Sequence, residues 1–151
     1  MKYVSTAGAL PACVFCAALA ANDDRRTLLV HRGKLAFLIL NAYPYASGHL
    51  MAAITRHGGS LEDATPEELN EAMQLVQSAI RALRATYHPD GFNVGVNQGR
   101  VAGAGVPDHL HVHVVPRWDG DTSFMPVIAE TKVLPETLET TYDRLTAALS
   151  S

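Results

Sequence analysis

The chain has 151 residues, of which 48% are apolar and 18% charged, and its formal net charge is −3 at pH 7. This length and composition predict one globular domain over residues 1–151. The negative charge argues against nucleic-acid binding through the phosphate backbone but leaves room for a small anionic ligand. No apolar run approaches the ~20 residues of a membrane helix, so we expect a cytoplasmic protein without a membrane partner.

Both cysteines lie in the motif Cys13-Val14-Phe15-Cys16. In a cytosolic chain, a lone C-x-x-C pair is more often metal-binding or redox-active than a structural disulfide. A thioredoxin-like pair would follow a buried strand, whereas this pair precedes a weak, alanine-rich helix over residues 17–21. Two thiolates are half of a tetrahedral zinc site, so two further ligands, usually histidines, must come from elsewhere.

Apolar segments separated by turn formers follow. They predict three strands, over residues 27–32, 35–40 and 49–57. The first two form a hairpin joined at Gly33-Lys34, and a loop over residues 41–48 leads to the third. His49 opens that third strand and His57 closes it.

A long helix is predicted next. Thr65 is its N-cap, Pro66 occupies its first position and Glu68 completes a capping box. An apolar stripe that packs on a sheet continues to Asp90-Gly91 and comprises Leu69, Met73, Val76, Ile80, Leu83 and Tyr87. A last helix is predicted from Pro135, with one apolar face formed by Leu138, Tyr142, Leu145 and Leu149.

A further strand over residues 92–97 runs into a glycine-rich loop over residues 98–107. The backbone N–H groups of Gly103 and Gly105 can form a nest for phosphate. No helix follows this loop in the sequence pattern, so it is neither a P-loop nor a dinucleotide-binding fingerprint.

The loop leads to three histidines at every second position, His109, His111 and His113. Strict alternation with apolar residues predicts a half-buried strand, ended by Pro116, with the three imidazoles on one face. The order strands, helix, strands, helix predicts an α+β fold with a mainly antiparallel sheet of about five strands.

Strand geometry limits how many of the three histidines one metal ion can bind. Neighbours on one face are ~6.7 Å apart, so His109 and His113 are ~13 Å apart, whereas metal–nitrogen bonds measure ~2.1 Å. One ion can therefore hold two neighbours of the row but hardly all three. A consistent division assigns to a closed, structural zinc site the residues Cys13, Cys16, His57 and His109.

The division leaves His111 and His113 for chemistry under the glycine-rich loop. A neutral imidazole is a competent nucleophile near pH 7, since its unperturbed pKa is ~6.5. Attack on phosphorus would give a covalent nucleotidyl-histidine and split one displacement into two easier ones. The loop N–H groups, the Gln98 amide and His113 are candidate donors to the developing charge.

The segment His109–Val115 resembles the signature of the histidine triad (HIT) family, His-φ-His-φ-His-φ-φ. The likeness extends over residues 13–118, and residues 103–118 resemble the bacterial branch related to diadenosine tetraphosphate phosphorylases and hydrolases. This resemblance implies a HIT-like fold and a nucleotidyl hydrolase or transferase acting on dinucleoside polyphosphates or related nucleotides. It also implies a homodimer or tetramer whose sheet extends across the dimer.

The resemblance further implies residue roles. The middle histidine, His111, would attack the α-phosphorus, and His113 and Gln98 would contact the phosphate. His49 would buttress the nucleophile from a neighbouring strand, and Asn41 would lie near the ribose. Zinc-bearing members use the ligand set that the geometric division selects. Family hydrolases and phosphoramidases often carry Gln-Ser or Gln-Thr where this chain has Gly105-Val106, which argues against phosphoramidase activity.

Two alternatives remain open on the sequence. One is a zinc hydrolase whose ion is held by His109 and His111, and it requires that chelation abolish activity. The other is a zinc-stabilised nucleotide-binding or interaction module without turnover, in which replacing His111 would change no reaction rate.

Overall fold

The computed structural model describes residues 13–121 and 136–150. Its strands are β1 (Leu29–Arg32), β2 (Ala36–Leu40), β3 (Leu50–Ile54), β4 (Gly91–Gly95) and β5 (His111–Arg117). Its α-helices are α1 (Val14–Ala21), α2 (Asp24–Thr27), α3 (Pro66–Tyr87) and α4 (Leu138–Ser150). Short 3-10 helices span Leu61–Asp63 and Arg100–Ala102. In these two ranges, no helix combines the length and apolarity needed to span a membrane.

The strands form one antiparallel sheet in the order β1-β2-β3-β5-β4, which confirms the predicted α+β fold. The histidine strand β5 lies inside the sheet, between β3 and β4. Met51 and Gly95 are the residues opposite His113 on these two neighbours. Strands β1 and β4 are the two edges of the sheet.

Helix α3 covers one face of the sheet and begins at the predicted capping box, with Thr65 and Glu68 bonded reciprocally. The predicted apolar stripe is only partly right, because Met73 is 49% exposed. Alanines such as Ala72 and Ala79 are buried instead. Their small side chains let the helix backbone lie close to the sheet.

The opposite face carries the histidine row and is covered by α1. Phe15 and Ala18 of this helix pack with apolar residues of β1, β2 and β3. The prediction of a half-buried histidine strand is therefore wrong, since His109 is 1% and His111 4% exposed. The cysteine motif begins the helix that buries them.

Several predicted strand boundaries also change. Strand β1 begins at Leu29 rather than at residue 27, because Asp23 caps α2 and Leu28 takes a left-handed conformation at φ 67°. The third predicted strand, over residues 49–57, is reduced to Leu50–Ile54. The fourth, over residues 92–97, is observed as Gly91–Gly95.

Pro116 lies within β5 instead of ending it. The N–H of Asp90 bonds the Arg117 carbonyl, so residue 117 faces β4. The backbone of Pro116 therefore faces the other side, where pairing with β3 has already ended at Leu50 and Val114. A proline fits there because no ladder bond needs its missing N–H.

The C-terminal helix α4 packs against α3 and the core. Leu145 is fully buried, and Tyr142 and Leu149 pack against the same core, as predicted. The predicted helix start at Pro135 lies outside the described residues.

Candidate functional site

The chain just before β5 holds the first histidine of the row. The Leu110 N–H donates to the Gly58 carbonyl over 2.7 Å, and the Ile54 N–H donates to the Leu110 carbonyl over 3.3 Å. These bonds fix His109 beside the loop that follows β3. That loop carries His57.

The structure brings the four predicted metal ligands together. The ligand atoms of Cys13, Cys16, His57 and His109 all lie within 4.8 Å of one another. The sulfur-to-Nδ1 distances are 3.3 Å for Cys13–His109, 3.3 Å for Cys16–His57 and 3.6 Å for Cys16–His109. A tetrahedral zinc ion with bonds of ~2.3 Å to sulfur and ~2.1 Å to nitrogen separates such ligands by ~3.6 Å. Three ligand pairs already lie near this separation, so the group could bind a metal ion.

The hydrogen bonds of His109 suit this role. Its Nε2 lies 2.6 Å from the Ile54 carbonyl, which can only accept, so Nε2 carries the proton. The Nδ1 lone pair is thereby directed at the thiols, as is usual for a metal-ligating histidine. Burial together with the neighbouring Cys13 raises the pKa of Cys16 to about 11, so cation binding must displace protons.

His111 has the opposite tautomer. Its Nδ1 lies 2.8 Å from the His109 carbonyl and must donate to it, which leaves the lone pair on Nε2. Burial lowers the pKa of His111, and the hydrogen bond to His109 opposes this only in part. The ring is therefore neutral at pH 7 and carries a nucleophilic nitrogen.

A chain of hydrogen bonds determines the tautomer of His113. The Tyr45 N–H donates to His49 Nδ1 over 3.2 Å, and His49 Nε2 lies 2.9 Å from His113 Nδ1. Because a backbone N–H only donates, His49 must carry its proton on Nε2 and donate it to His113. His113 is then left with a proton on Nε2, which can donate to a substrate oxygen.

These hydrogen bonds give His49 a different partner from the predicted one, which was the nucleophile His111. It supports His113 directly, and His111 only through the His113 ring, whose centroid lies 4.9 Å from that of His111. Burial, followed by the neighbouring His113 and His111, lowers the pKa of His49 to about 4. Burial also lowers the pKa of His113. All three rings are therefore neutral near pH 7.

A cavity of about 810 Å³ lies beside these rings, between α1, β2, the loop over residues 41–48 and the glycine-rich loop. Its size is typical of a site for a small organic ligand. Its walls are mostly apolar and include Phe15, Ile39 and Met51. The predicted site residues that line it are Asn41, Gly103, Gly105, His111 and His113.

Gln98 is the predicted phosphate-contacting residue that does not line this cavity. Its Oε1 accepts from the Leu61 N–H over 2.7 Å, and its Nε2 donates to Glu62 over 3.0 Å. The first N–H groups of a 3-10 helix lack intrahelical partners, and Gln98 satisfies one of them. In this arrangement its amide is not available to a phosphate beside His111.

Two residues of the site have no signal in the sequence pattern that we used. The Phe15 ring centroid lies 5.1 Å from that of His109 and 4.9 Å from that of His111, so one side chain contacts two of the three histidines. Its place between the two cysteines is the clue that could have indicated it. Tyr45 acts through a backbone N–H, which residue identity does not reveal.

A second cavity, of about 500 Å³, lies on the same face over β4 and the end of β5. His113 and Tyr45 line both cavities. The polar side chains of the second cavity include Asn93, Asn97 and Arg117.

The row of histidines, the antiparallel sheet and the covering helices together define a class of protein. Residues 23–120 match the family model described as HIT domain. The chain belongs to the HIT family.

Relatives at the level of single proteins narrow this class. The chain is 48% identical over 119 residues to a Mycobacterium tuberculosis protein named AP-4-A phosphorylase, an alignment that covers 79% of this chain and 61% of that relative. The chain thus spans less than two thirds of that relative's length. It is also 37% identical over 109 residues to an uncharacterized HIT-like protein of the same species, covering 72% of this chain and 74% of the relative.

Among solved structures, a Zn-bound histidine triad family protein from Mycobacterium smegmatis superimposes with a TM-score of 0.75 at 30% identity. The superposition covers 92% of this chain and 94% of that one. A histidine triad nucleotide-binding protein from Sulfolobus tokodaii, described as hypothetical, superimposes with a TM-score of 0.72 at 25% identity, covering 91% and 92%.

Proposed function

We propose that the protein is a nucleotidyl hydrolase or transferase that acts on dinucleoside polyphosphates or related nucleotides. The observation that carries the proposal is the buried, neutral His111, which lines a nucleotide-sized cavity and whose Nδ1 is bonded to the backbone, so that Nε2 keeps the lone pair. The similarity to the AP-4-A phosphorylase supports the substrate class. A Schizosaccharomyces pombe bis(5′-nucleosyl)-tetraphosphatase, 32% identical over 62% of this chain and 50% of its own length, supports it further.

The reaction proceeds in two displacements at one phosphorus atom. His111 Nε2 attacks the α-phosphorus, a P–N bond forms, and the bond to the leaving polyphosphate oxygen breaks. The leaving nucleotide departs as an anion and needs no proton near neutral pH. Water or inorganic phosphate then attacks the nucleotidyl-histidine, a P–O bond forms, the P–N bond breaks, the acceptor's proton passes to solvent, and His111 is released as the same neutral tautomer.

The neighbouring groups stabilise charge on the phosphoryl oxygens. His113 donates its Nε2 proton to one of these oxygens, and the hydrogen bond from His49 keeps that proton on Nε2. Gly103 and Gly105 line the same cavity. The Gly103 N–H, predicted as a donor, is occupied because it donates to the Arg100 carbonyl over 3.0 Å, so the loop donor that we assign is the Gly105 N–H. Catalysis of this kind rests on positioning and electrostatics.

The metal in this proposal is zinc, held by four protein ligands and therefore closed to substrate. Cys13 and Cys16 begin α1, whereas His109 precedes β5, so a bound ion would join the helix to the histidine strand. The alternative of an ion shared by His109 and His111 is not supported, because the free nitrogen of His109, Nδ1, lies 3.3 Å from Cys13 Sγ and 3.6 Å from Cys16 Sγ.

A homodimer, or a tetramer built from it, is the assembly that we infer. Strand β4 is an edge of the sheet whose residues 93–95 are exposed, so its free side can pair with a second copy. The register with β5 turns the N–H of Val94 toward this free side. The cytoplasmic location and the one-domain organisation stay predictions.

The activity is tested with diadenosine tetraphosphate, with and without inorganic phosphate, and products are separated by anion exchange. ADP plus ATP that form only with phosphate would establish a phosphorylase, and AMP plus ATP formed in water would establish a hydrolase. We expect His111→Ala to lower kcat/KM at least about 10³-fold. His31→Ala, which removes an exposed histidine of β1, is the matched control.

Failure is equally clear in this assay. Undiminished turnover by His111→Ala would remove the nucleophile assignment. Binding of the nucleotide without any turnover by the wild type would favour the interaction module instead.

A further inference from the structure

The second cavity lies where a substrate must continue beyond His113. The apolar cavity holds one end of the proposed substrate, and His113 and Tyr45 are common to both cavities. Attacking and leaving groups lie on opposite sides of the phosphorus in each displacement. The group that leaves in the first step and the acceptor in the second therefore use the same space.

The charges of the second cavity are balanced within the protein. Arg117 donates through Nε and Nη2 to the two carboxylate oxygens of Asp121, each over 2.8 Å. It also donates through Nη1 to Asn93 Oδ1 over 2.5 Å. The guanidinium is thus occupied, which makes the cavity a poor site for an isolated polyphosphate. The amides of Asn93 and Asn97 and the Tyr45 ring, whose residue is 78% exposed, suit a nucleoside instead.

Gly95 is a second and independent sign of a ligand. It lies on β4 directly opposite His113 and lines the second cavity. A Cβ built on Gly95 would meet nothing within 4 Å, and its backbone is not in the left-handed region. Neither strain nor crowding within the described residues requires a glycine here, although glycine weakens a strand. What its missing side chain provides is open space beside His113.

We propose that the second cavity binds the nucleoside of the leaving nucleotide, and that Gly95 makes the protein selective for dinucleoside substrates. The proposal rests on the proposed function and assigns its leaving-group site. Tyr45 offers a face on which the second base stacks, and the amides of Asn93 and Asn97 offer donors to it.

The test compares two substrates that share the adenylyl group. Diadenosine tetraphosphate carries a second nucleoside, whereas adenosine 5′-phosphosulfate leaves only sulfate. We expect Gly95→Leu to lower the ratio of their kcat/KM values at least about tenfold, with Gly95→Ala intermediate. Gly91→Leu is the matched control, because Gly91 lies on the same strand, also meets nothing within 4 Å and lines neither cavity.

Thermal unfolding and light scattering on each variant accompany the kinetics. A ratio that stays constant in Gly95→Leu, whether both rates fall or neither does, would overturn the proposal. So would a change of oligomeric state in this variant alone, because the glycine would then serve an interface. A wild type that uses only the phosphosulfate would overturn the leaving-group site but keep adenylyl transfer. Turnover of neither substrate would remove the proposed function itself.

Discussion

His109, just before β5, and His111, its first residue, are almost equally buried and are both held by backbone carbonyls, yet they offer opposite nitrogens. The Ile54 carbonyl takes the Nε2 proton of His109 and leaves Nδ1 to the thiols. The carbonyl of His109 takes the Nδ1 proton of His111 and leaves Nε2 to the cavity. A hydrogen bond donated from one ring nitrogen of a buried histidine thus determines which nitrogen keeps the lone pair, and so whether Nδ1 or Nε2 can bind a metal or attack a substrate.

Removing a proposed metal ligand is the strongest way to separate the proposed metal site from the proposed catalytic histidines. Cys16→Ala takes one of four ligands from a site that joins α1 to the sheet. We expect loss of about one bound zinc per chain and a stability loss of about 3 kcal/mol or more, which corresponds to a Tm decrease of about 10 °C. Metal analysis and thermal unfolding measure both.

The same variant also tests whether the His109 end is purely structural. Well below its unfolding temperature, Cys16→Ala should keep most of the kcat, because His111 is held by the His109 backbone carbonyl and packs on Phe15, and neither contact uses the Cys16 side chain. A complete loss of activity in folded, zinc-free protein would contradict the separation.

The hydrogen bond from His49 to His113, one of the proposed catalytic histidines, can be removed next. His49→Ala removes the donor to His113 Nδ1, so His113 can place its proton on that nitrogen and turn a lone pair toward the phosphate. We expect kcat/KM to fall about 10²-fold. His49→Gln should recover much of this loss, because its amide N–H can donate to His113.

A purely structural role for His49 would give another result. Both variants would then lose activity in proportion to stability, and the pH profile of kcat/KM would keep its wild-type shape. If His49→Gln recovers both kcat/KM and the wild-type pH profile, His49 acts by holding the His113 proton on Nε2.

The division of the histidine row could be predicted from the sequence. Alternation placed three histidines on one strand face, and the short range of metal–ligand bonds forced the row to be divided. The structure places Cys13, Cys16, His57 and His109 together as that division requires. The capping box at Thr65 depends only on residues close in sequence, so it could be predicted as well.

What the sequence could not provide depends on tertiary packing. Burial of the histidine face required knowing that α1 folds back over it. The turn of Gln98 toward Leu61 depends on an unpaired N–H in a 3-10 helix 37 residues away. Leu28 lies in an apolar run that predicts a strand, but the cap at Asp23 makes a helical turn there instead.

The neutral state of His49 in the folded protein makes the stability of the protein depend on pH. The pKa of His49 is about 4 in the folded protein and about 6.5 in the unfolded chain. Between these values the unfolded chain binds a proton that folded His49 refuses, so stability is lost as the pH falls. From pH 7 to pH 5 this costs about 2 kcal/mol.

Urea unfolding at several pH values measures this loss. His49→Gln should reduce the pH dependence between pH 7 and pH 5, and His31→Ala, which removes an exposed histidine, is measured beside it as the control. An identical dependence in wild type and His49→Gln would mean that His49 is not the group responsible.

The smallest effect is expected at the glycine-rich loop. Gly105 has an ordinary φ, and a Cβ there would meet nothing within 4 Å, so Gly105→Ala should leave the Tm within about 2 °C of wild type. The same methyl group stands at the cavity that His111 and His113 share. If backbone N–H groups of the loop approach the phosphate closely, it should lower kcat/KM about three- to tenfold. Gly103 is no substitute for this test, since its φ of 95° strains any side chain. An unchanged kcat/KM in Gly105→Ala would assign charge stabilisation to His113 and leave the loop as a wall.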